Sequence, residues 1–181
     1  METTKTSNKT RQVGAMNCEG HAVVLTQPLP SLAAGQVLVQ VHASLISAGT
    51  ELVQARRLRV EDTHEPSDPT PFGYQAAGIV QAVSDDVTQH RPGDRVLCMG
   101  AGYALHSDYA VVPQNLCFTL PDDLPFDRAV YAVLGATAMH AIQRGGTALG
   151  EYLLVAGLGI VGQLAGQLGK LSGMQVMGWD L

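Results

Sequence analysis

The residues from Tyr152 to Asp180 read YLLVAGLGIVGQLAGQLGKLSGMQVMGWD. Gly157, Gly159 and Gly162 fall between a run that reads as a buried strand, YLLVAG, and a run with helical spacing from about Ile160. That placement suits the binding of a dinucleotide. The first glycine permits a tight turn, and the second lets the backbone approach a pyrophosphate. The third lets helix and strand pack closely, while the helix start offers unpaired N–H groups to the anion. MQVMGW then reads as a second strand, and Asp180 follows it, 23 residues beyond Gly157. A carboxylate at about that distance accepts hydrogen bonds from ribose hydroxyls and repels a 2′-phosphate, which favours NAD over NADP. The competing reading is a tight turn followed by a surface aspartate, and it leaves the agreement of strand, turn, helix and acid unexplained.

The elements that must position this turn differ along the chain. From His21 to about Pro113 short β-rich runs are separated by Gly and Pro: HAVVLT, QVLVQVHASLI, GIVQAV, DRVLCM and DYAVVP. Such spacing predicts a barrel or sandwich. Residues 1–17 are polar and are expected to form a flexible tail, and 57–71, polar and Pro-rich, a surface loop. Residues 125–144 carry Phe126, Val130, Val133, Leu134, Ala138, Ala141 and Ile142 at helical spacing. In the helix from Ile160, Val161, Leu164, Ala165, Leu168 and Leu171 are expected to share the buried face. The fold class is therefore mixed β and α/β, with boundaries expected at 18–125 for the β domain and 126–181 for a linking helix and the first βαβ unit.

Composition narrows the function classes. The 181 residues are 46% hydrophobic and 15% charged, with a formal net charge of −5. No basic stripe offers itself to phosphates, so nucleic acid is not an expected partner. No run reaches the ~18 apolar residues of a membrane span, and the N-terminus has no apolar signal core. Cys18, Cys98 and Cys117 are dispersed, which fits a reducing compartment; a cytoplasmic location is expected. The six histidines show no HxH or HExxH spacing, and His42 and His106 are expected to be structural or surface groups.

Six segments in order are SLISAGTELV, GYQAAGIVQAV, HRPGDRV, HSDYAVVP, AVLGATAMHAI and VAGLGIVG. Together they make the chain resemble the medium-chain dehydrogenase/reductase superfamily, the zinc alcohol dehydrogenase-like proteins, from about residue 20 onward. The resemblance implies a GroES-like β-barrel followed by a Rossmann domain that is incomplete after its first βαβ unit. It also implies that the chain is the N-terminal portion of a longer enzyme or a truncated product, inactive alone. A small-molecule substrate is implied, and homo-oligomerisation of a full-length form is left open.

The departures concern the metal. Zinc-dependent relatives place Cys at the position of Ala48 and His at that of Tyr74, with a further Cys or acid near Val133. Ala and Val cannot ligate zinc, and a neutral phenol is a poor ligand. Four clustered cysteines for a structural zinc are also missing, so no zinc is expected. SAGTE with GY resembles a subgroup that includes bacteriochlorophyllide-type dehydrogenases and bi-domain oxidoreductases.

Without metal, hydroxyls must stabilise the oxyanion left by hydride transfer. The resemblance implies Thr50 and Tyr74 for that role, although Tyr74 reads equally as a packing aromatic. Val53 replaces a relay histidine of some relatives. Thr137 matches a position beside the nicotinamide, or its hydroxyl bonds the preceding helical turn. Glu51 and Gln75 are expected to orient the site, Glu51 in a buried pair with Arg95. The expected function is an NAD(P)-dependent, zinc-independent oxidoreductase acting on an alcohol–carbonyl pair. The alternatives are a quinone- or enoyl-reductase activity, against which GTE and Asp180 weigh, and a non-catalytic barrel module.

Overall fold

The computed structural model describes residues 9–60, 68–146 and 148–181. Its first strand lies in the expected tail. β1, Thr10–Met16, pairs antiparallel with β2, Ala22–Pro28, over their whole length. Polar residues hide this strand in the sequence, but Val13 and Ala15 are buried on one face of it and Met16 on the other. The tail reading is thus corrected for residues 10–16, and residues 1–8 lie outside the described residues.

β3, Gln36–Ser44, alternates buried Val37 and Val39 with half-buried neighbours, the period of a strand covered on one face. Helix α1, Ala48–Val60, follows. It overturns the loop reading of residues 57–60; residues 61–67 lie outside the described residues. The helix has no apolar period to betray it, because it buries only Glu51 and Ala55. Its start is closed by Ser47: the Thr50 and Glu51 amides donate to the Ser47 carbonyl, and the Ser47 amide donates to the Glu51 carboxylate.

The short β4, Thr70–Pro71, pairs with β1. Then come β5, Gln75–Val83, β6, Arg95–Met99, β7, Tyr109–Pro113, and β8, Cys117–Thr119. One antiparallel sheet has the order β2-β1-β4 and the other β7-β3-β5-β6-β8. They are stitched along residues 106–108: Gly14 N–H donates to the His106 carbonyl at 2.7 Å, and Asp108 N–H to that of Gln12 at 3.2 Å. Val37, Val39, Val80, Val96 and Val112 form the core of the five-stranded sheet. A bulge between Val41 and Ala43 leaves His42 without a partner on β5. His42 instead stacks on Phe126, with ring centroids 4.8 Å apart.

The helical run 125–144 is two helices, α2, Phe126–Ala129, and α3, Ala132–Arg144. α2 packs on β3 and β5, and the first compact unit extends through Val130. Phe126, held between His42 and the Arg95 guanidinium, ties α2 to the β unit.

The second unit, Tyr131–Leu181, holds α3, β9, Tyr152–Ala156, α4, Ile160–Leu171, and β10, Gln175–Trp179. β9 and β10 are parallel neighbours joined through α4, a βαβ unit. The face of α4 turned to the sheet is not the expected leucine stripe. It is Gly162, Gly166 and Gly169, where an added Cβ would meet Val155, Val176 and Leu153. Glycine at i, i+4 and i+7 lets the helix lie close to the strands, while α3 packs against another side of α4. Leu171 is 85% exposed.

Candidate functional site

In the second unit the glycine turn has the geometry that an anion-binding loop needs. β9 is followed by Gly157, whose φ of +92° only glycine adopts freely, and its amide donates to the Trp179 carbonyl at 2.8 Å. A Cβ on Gly162 would lie 1.9 Å from the Gly157 carbonyl oxygen, so turn and helix touch there. Gly159 is the N-cap of α4, and no side chain caps the helix. The first-turn N–H groups are therefore left without intrahelical or side-chain acceptors. They open on a hollow of about 540 Å³ lined by Tyr131, Leu158, Gly159, Ile160 and Gln163 among others.

Asp180 leaves the end of β10 and bends back to the turn. Its Oδ2 accepts the Leu158 amide at 2.9 Å, and its Oδ1 accepts the Leu181 amide at 2.9 Å. These two amides, Leu158 first, hold its carboxyl below the ordinary carboxylate range. Each oxygen keeps a lone pair for a further donor. Thr137, on α3, is exposed, and its hydroxyl donates to the Val133 carbonyl at 3.3 Å, the bond to the preceding helical turn.

In the first unit, Thr50 is exposed in the first turn of α1, and its Oγ1 accepts a 3.3 Å hydrogen bond from the Ser47 hydroxyl. It borders an open hollow with Gly49, Val53, Gln54 and Arg57. Tyr74 is half-buried immediately before β5, and its carbonyl accepts the Gly100 amide at 2.9 Å. No hydrogen bond joins the Thr50 and Tyr74 hydroxyls. Between their segments lies a polar cluster that sequence reasoning missed. Glu51, next to Thr50, meets His106 with both carboxylate oxygens 3.2 Å from Nε2, and His106 Nδ1 lies 2.8 Å from Ser44 Oγ. The expected Glu51–Arg95 pair does not form. Arg95 instead lies over the Phe126 ring and hydrogen-bonds the Leu124 carbonyl. His106 is 55 residues from Glu51, and no local spacing rule signals such a pair. Gln75 is fully buried, and its Nε2 donates to the Leu45 carbonyl at 3.1 Å.

Ala48 is exposed at the start of α1 and Val133 is half-buried in α3. Among the described residues, no three His, Cys, Asp or Glu side chains converge as a metal site would require. The Ala48 and Val133 side chains carry no donor atom for a metal, and Tyr74 carries only a phenol.

Comparison with known proteins agrees with this architecture. Residues 33–122 match the model of the alcohol dehydrogenase GroES-like domain. The chain belongs to the medium-chain dehydrogenase/reductase superfamily. Among curated relatives, the quinone oxidoreductase of Rattus norvegicus is 31% identical over 155 residues, covering 83% of this chain and 45% of the relative. The alcohol dehydrogenase of Geobacillus stearothermophilus is 26% identical over 84% of this chain and 52% of the relative. The crystal structure of an alcohol dehydrogenase superfamily protein from Novosphingobium aromaticivorans superposes with a TM-score of 0.76 at 26% identity, covering 94% of this chain and 53% of that one. The chain thus spans about half the length of these relatives.

Proposed function

We propose that this protein belongs to a nicotinamide-linked oxidoreductase that moves hydride between NAD and an alcohol–carbonyl pair without zinc. The observation that carries the cofactor reading is the Asp180 carboxylate, bound to the Leu158 amide beside an uncapped helix start. Gly157 and Gly159 would admit the pyrophosphate, the first turn of α4 would donate N–H groups to it, and Asp180 would accept from the ribose hydroxyls. Bound NAD supplies the hydride acceptor. The chain supplies the fit and the charge that excludes a 2′-phosphate, and NADP is the weaker ligand in this reading.

Thr50 and Tyr74 would donate hydrogen bonds to the substrate oxygen as it gains charge, the role that zinc plays in relatives with a ligand set. Ala48, Tyr74 and Val133 offer no strong ligand at the three family positions. A second reading, reduction of a quinone or an activated double bond, is favoured by the quinone oxidoreductases among the relatives near 31% identity.

The test is NAD titrated into labelled protein while amides are followed by NMR. Shifts confined to Gly157–Gly162 and Asp180 are expected, and their absence at millimolar NAD overturns the cofactor reading. Elemental analysis after zinc supplementation is expected to show none bound in stoichiometric amount, and one zinc per chain overturns the metal-free mechanism. Assays with aldehydes and with quinones then separate the two substrate readings.

A further inference from the structure

The first unit contains a buried acid–imidazole–hydroxyl cluster to which the proposed chemistry gives no part. The His106 side chain is 12% exposed and that of Glu51 6%. The imidazole joins three segments. Nδ1 meets Ser44 Oγ at the end of β3, and Nε2 meets Glu51 in the first turn of α1. The third segment is the turn that carries Tyr74: the His106 amide donates to the Phe72 carbonyl at 3.1 Å, and the Phe72 ring meets the imidazole edge-on at 5.0 Å. Gly73, with φ of +113°, completes this contact. A Cβ there would lie 2.5 Å from the His106 amide nitrogen and 3.0 Å from the imidazole Cδ2.

We propose that His106 is a positioning residue, which holds the segments of Thr50 and Tyr74 in fixed relation through Glu51, Ser44 and the Phe72–Gly73 turn. The proposal rests on the oxidoreductase reading only for the purpose that the two hydroxyls serve. Thr50 adjoins Glu51 in sequence, and Tyr74 adjoins Gly73, so a displacement of the imidazole is felt at both.

The proton positions follow from donor chemistry. An ionised carboxylate only accepts, so Nε2 carries the hydrogen and donates it to Glu51. In the neutral ring Nδ1 then accepts, and the Ser44 hydroxyl must donate to it. Glu51 is also fixed from its other side, because its Oε2 accepts the Ser47 amide at 3.0 Å. A ring held at both nitrogens cannot rotate without losing a hydrogen bond in a place shielded from water.

The test uses the wild-type protein with His106→Gln and Ser44→Ala. In the wild type, 15N spectra of the imidazole should show the Nε2–H tautomer, and an Nδ1–H tautomer overturns the assignment. In each variant, hydrogen exchange should speed by about tenfold or more at two separate places. These are the amides of Thr50 and Glu51, bonded to Ser47, and the amide of Gly100, bonded to the Tyr74 carbonyl. Exchange at Gly157 should not change. A rise at only one of the two places, a uniform rise or no rise overturns the proposal, and Ser44→Ala carries the test if His106→Gln does not fold. In an active holoenzyme the variants should lower kcat with little change in the KM for NAD; a rise in that KM with kcat intact overturns the positioning role. If a full-length form reduces neither carbonyls nor quinones while the exchange result holds, the oxidoreductase reading fails and the brace stands.

Discussion

The Leu158 amide donates to Oδ2 of Asp180 across the mouth of the glycine turn, at 2.9 Å. The acid therefore closes the turn that follows β9, and in the proposed function it would also accept from the ribose. Asp180→Ala should weaken NAD binding and narrow the preference for NAD over NADP, since both a charged hydrogen bond and a repulsion are lost. Asp180→Asn should keep part of the turn and lose the repulsion. Titrations with both cofactors check this, and an unchanged ratio in both variants would make Asp180 a structural acid alone.

The same contact has a pH dependence whose sign is set. Two amides favour the charged form, so the folded carboxyl titrates below its unfolded value of about 3.9. Its contribution is fully present above that unfolded value and is lost as pH falls through the lower folded value. The Leu158 amide shift should therefore stay constant down to about pH 4 and move only below it. Movement centred above pH 5 would contradict the bond.

Gly162→Ala should be far more damaging than Gly159→Ala. A methyl on Gly162 meets the Gly157 carbonyl at 1.9 Å, whereas one on Gly159 finds nothing within 4 Å. Forced shifts of backbone in such a place cost about 1–3 kcal/mol. Thermal unfolding of both variants measures the difference, and equal melting temperatures would mean that helix and turn are not in contact.

These elements were legible in the sequence to different degrees, for physical reasons. β3 and β5–β7 announce themselves through Val-rich runs between Gly and Pro, and the β9–α4–β10 unit through its glycines and acid. α1 does not, because a helix that buries one acid and one alanine leaves no apolar period. α4 showed its position but not its orientation: its leucines suggested a buried stripe, and its glycines make the close contact. The partner of Glu51 was illegible, since only the folded sheets bring His106 to it.

His90 is buried, 8% exposed, and neither ring nitrogen has a hydrogen-bond partner among the described residues. A polar ring desolvated without partners opposes folding, and an apolar ring of similar shape removes that cost. His90→Phe should stabilise the first unit by about 1 kcal/mol, read as a higher melting temperature or denaturant midpoint. A loss of stability would show that the imidazole has a bonding partner in solution.

The three thiols should separate by reactivity. Cys98 and Cys117 face each other in register on β6 and β8, with Sγ atoms 3.7 Å apart, and both are buried. The Cys117 sulfur, then burial, pushes the Cys98 thiol far above its ordinary range, so it offers almost no thiolate. Cys18 is only half-buried. With an aromatic disulfide reagent at pH 8, one thiol per chain should react promptly in the native protein, and all three should react after denaturation. Modification at Cys98 or Cys117 at the rate of Cys18 would mean that β8 opens from β6 under native conditions. Cys18→Ser should abolish the prompt phase and leave the slow one unchanged, because the slow phase reports the opening of this strand pair.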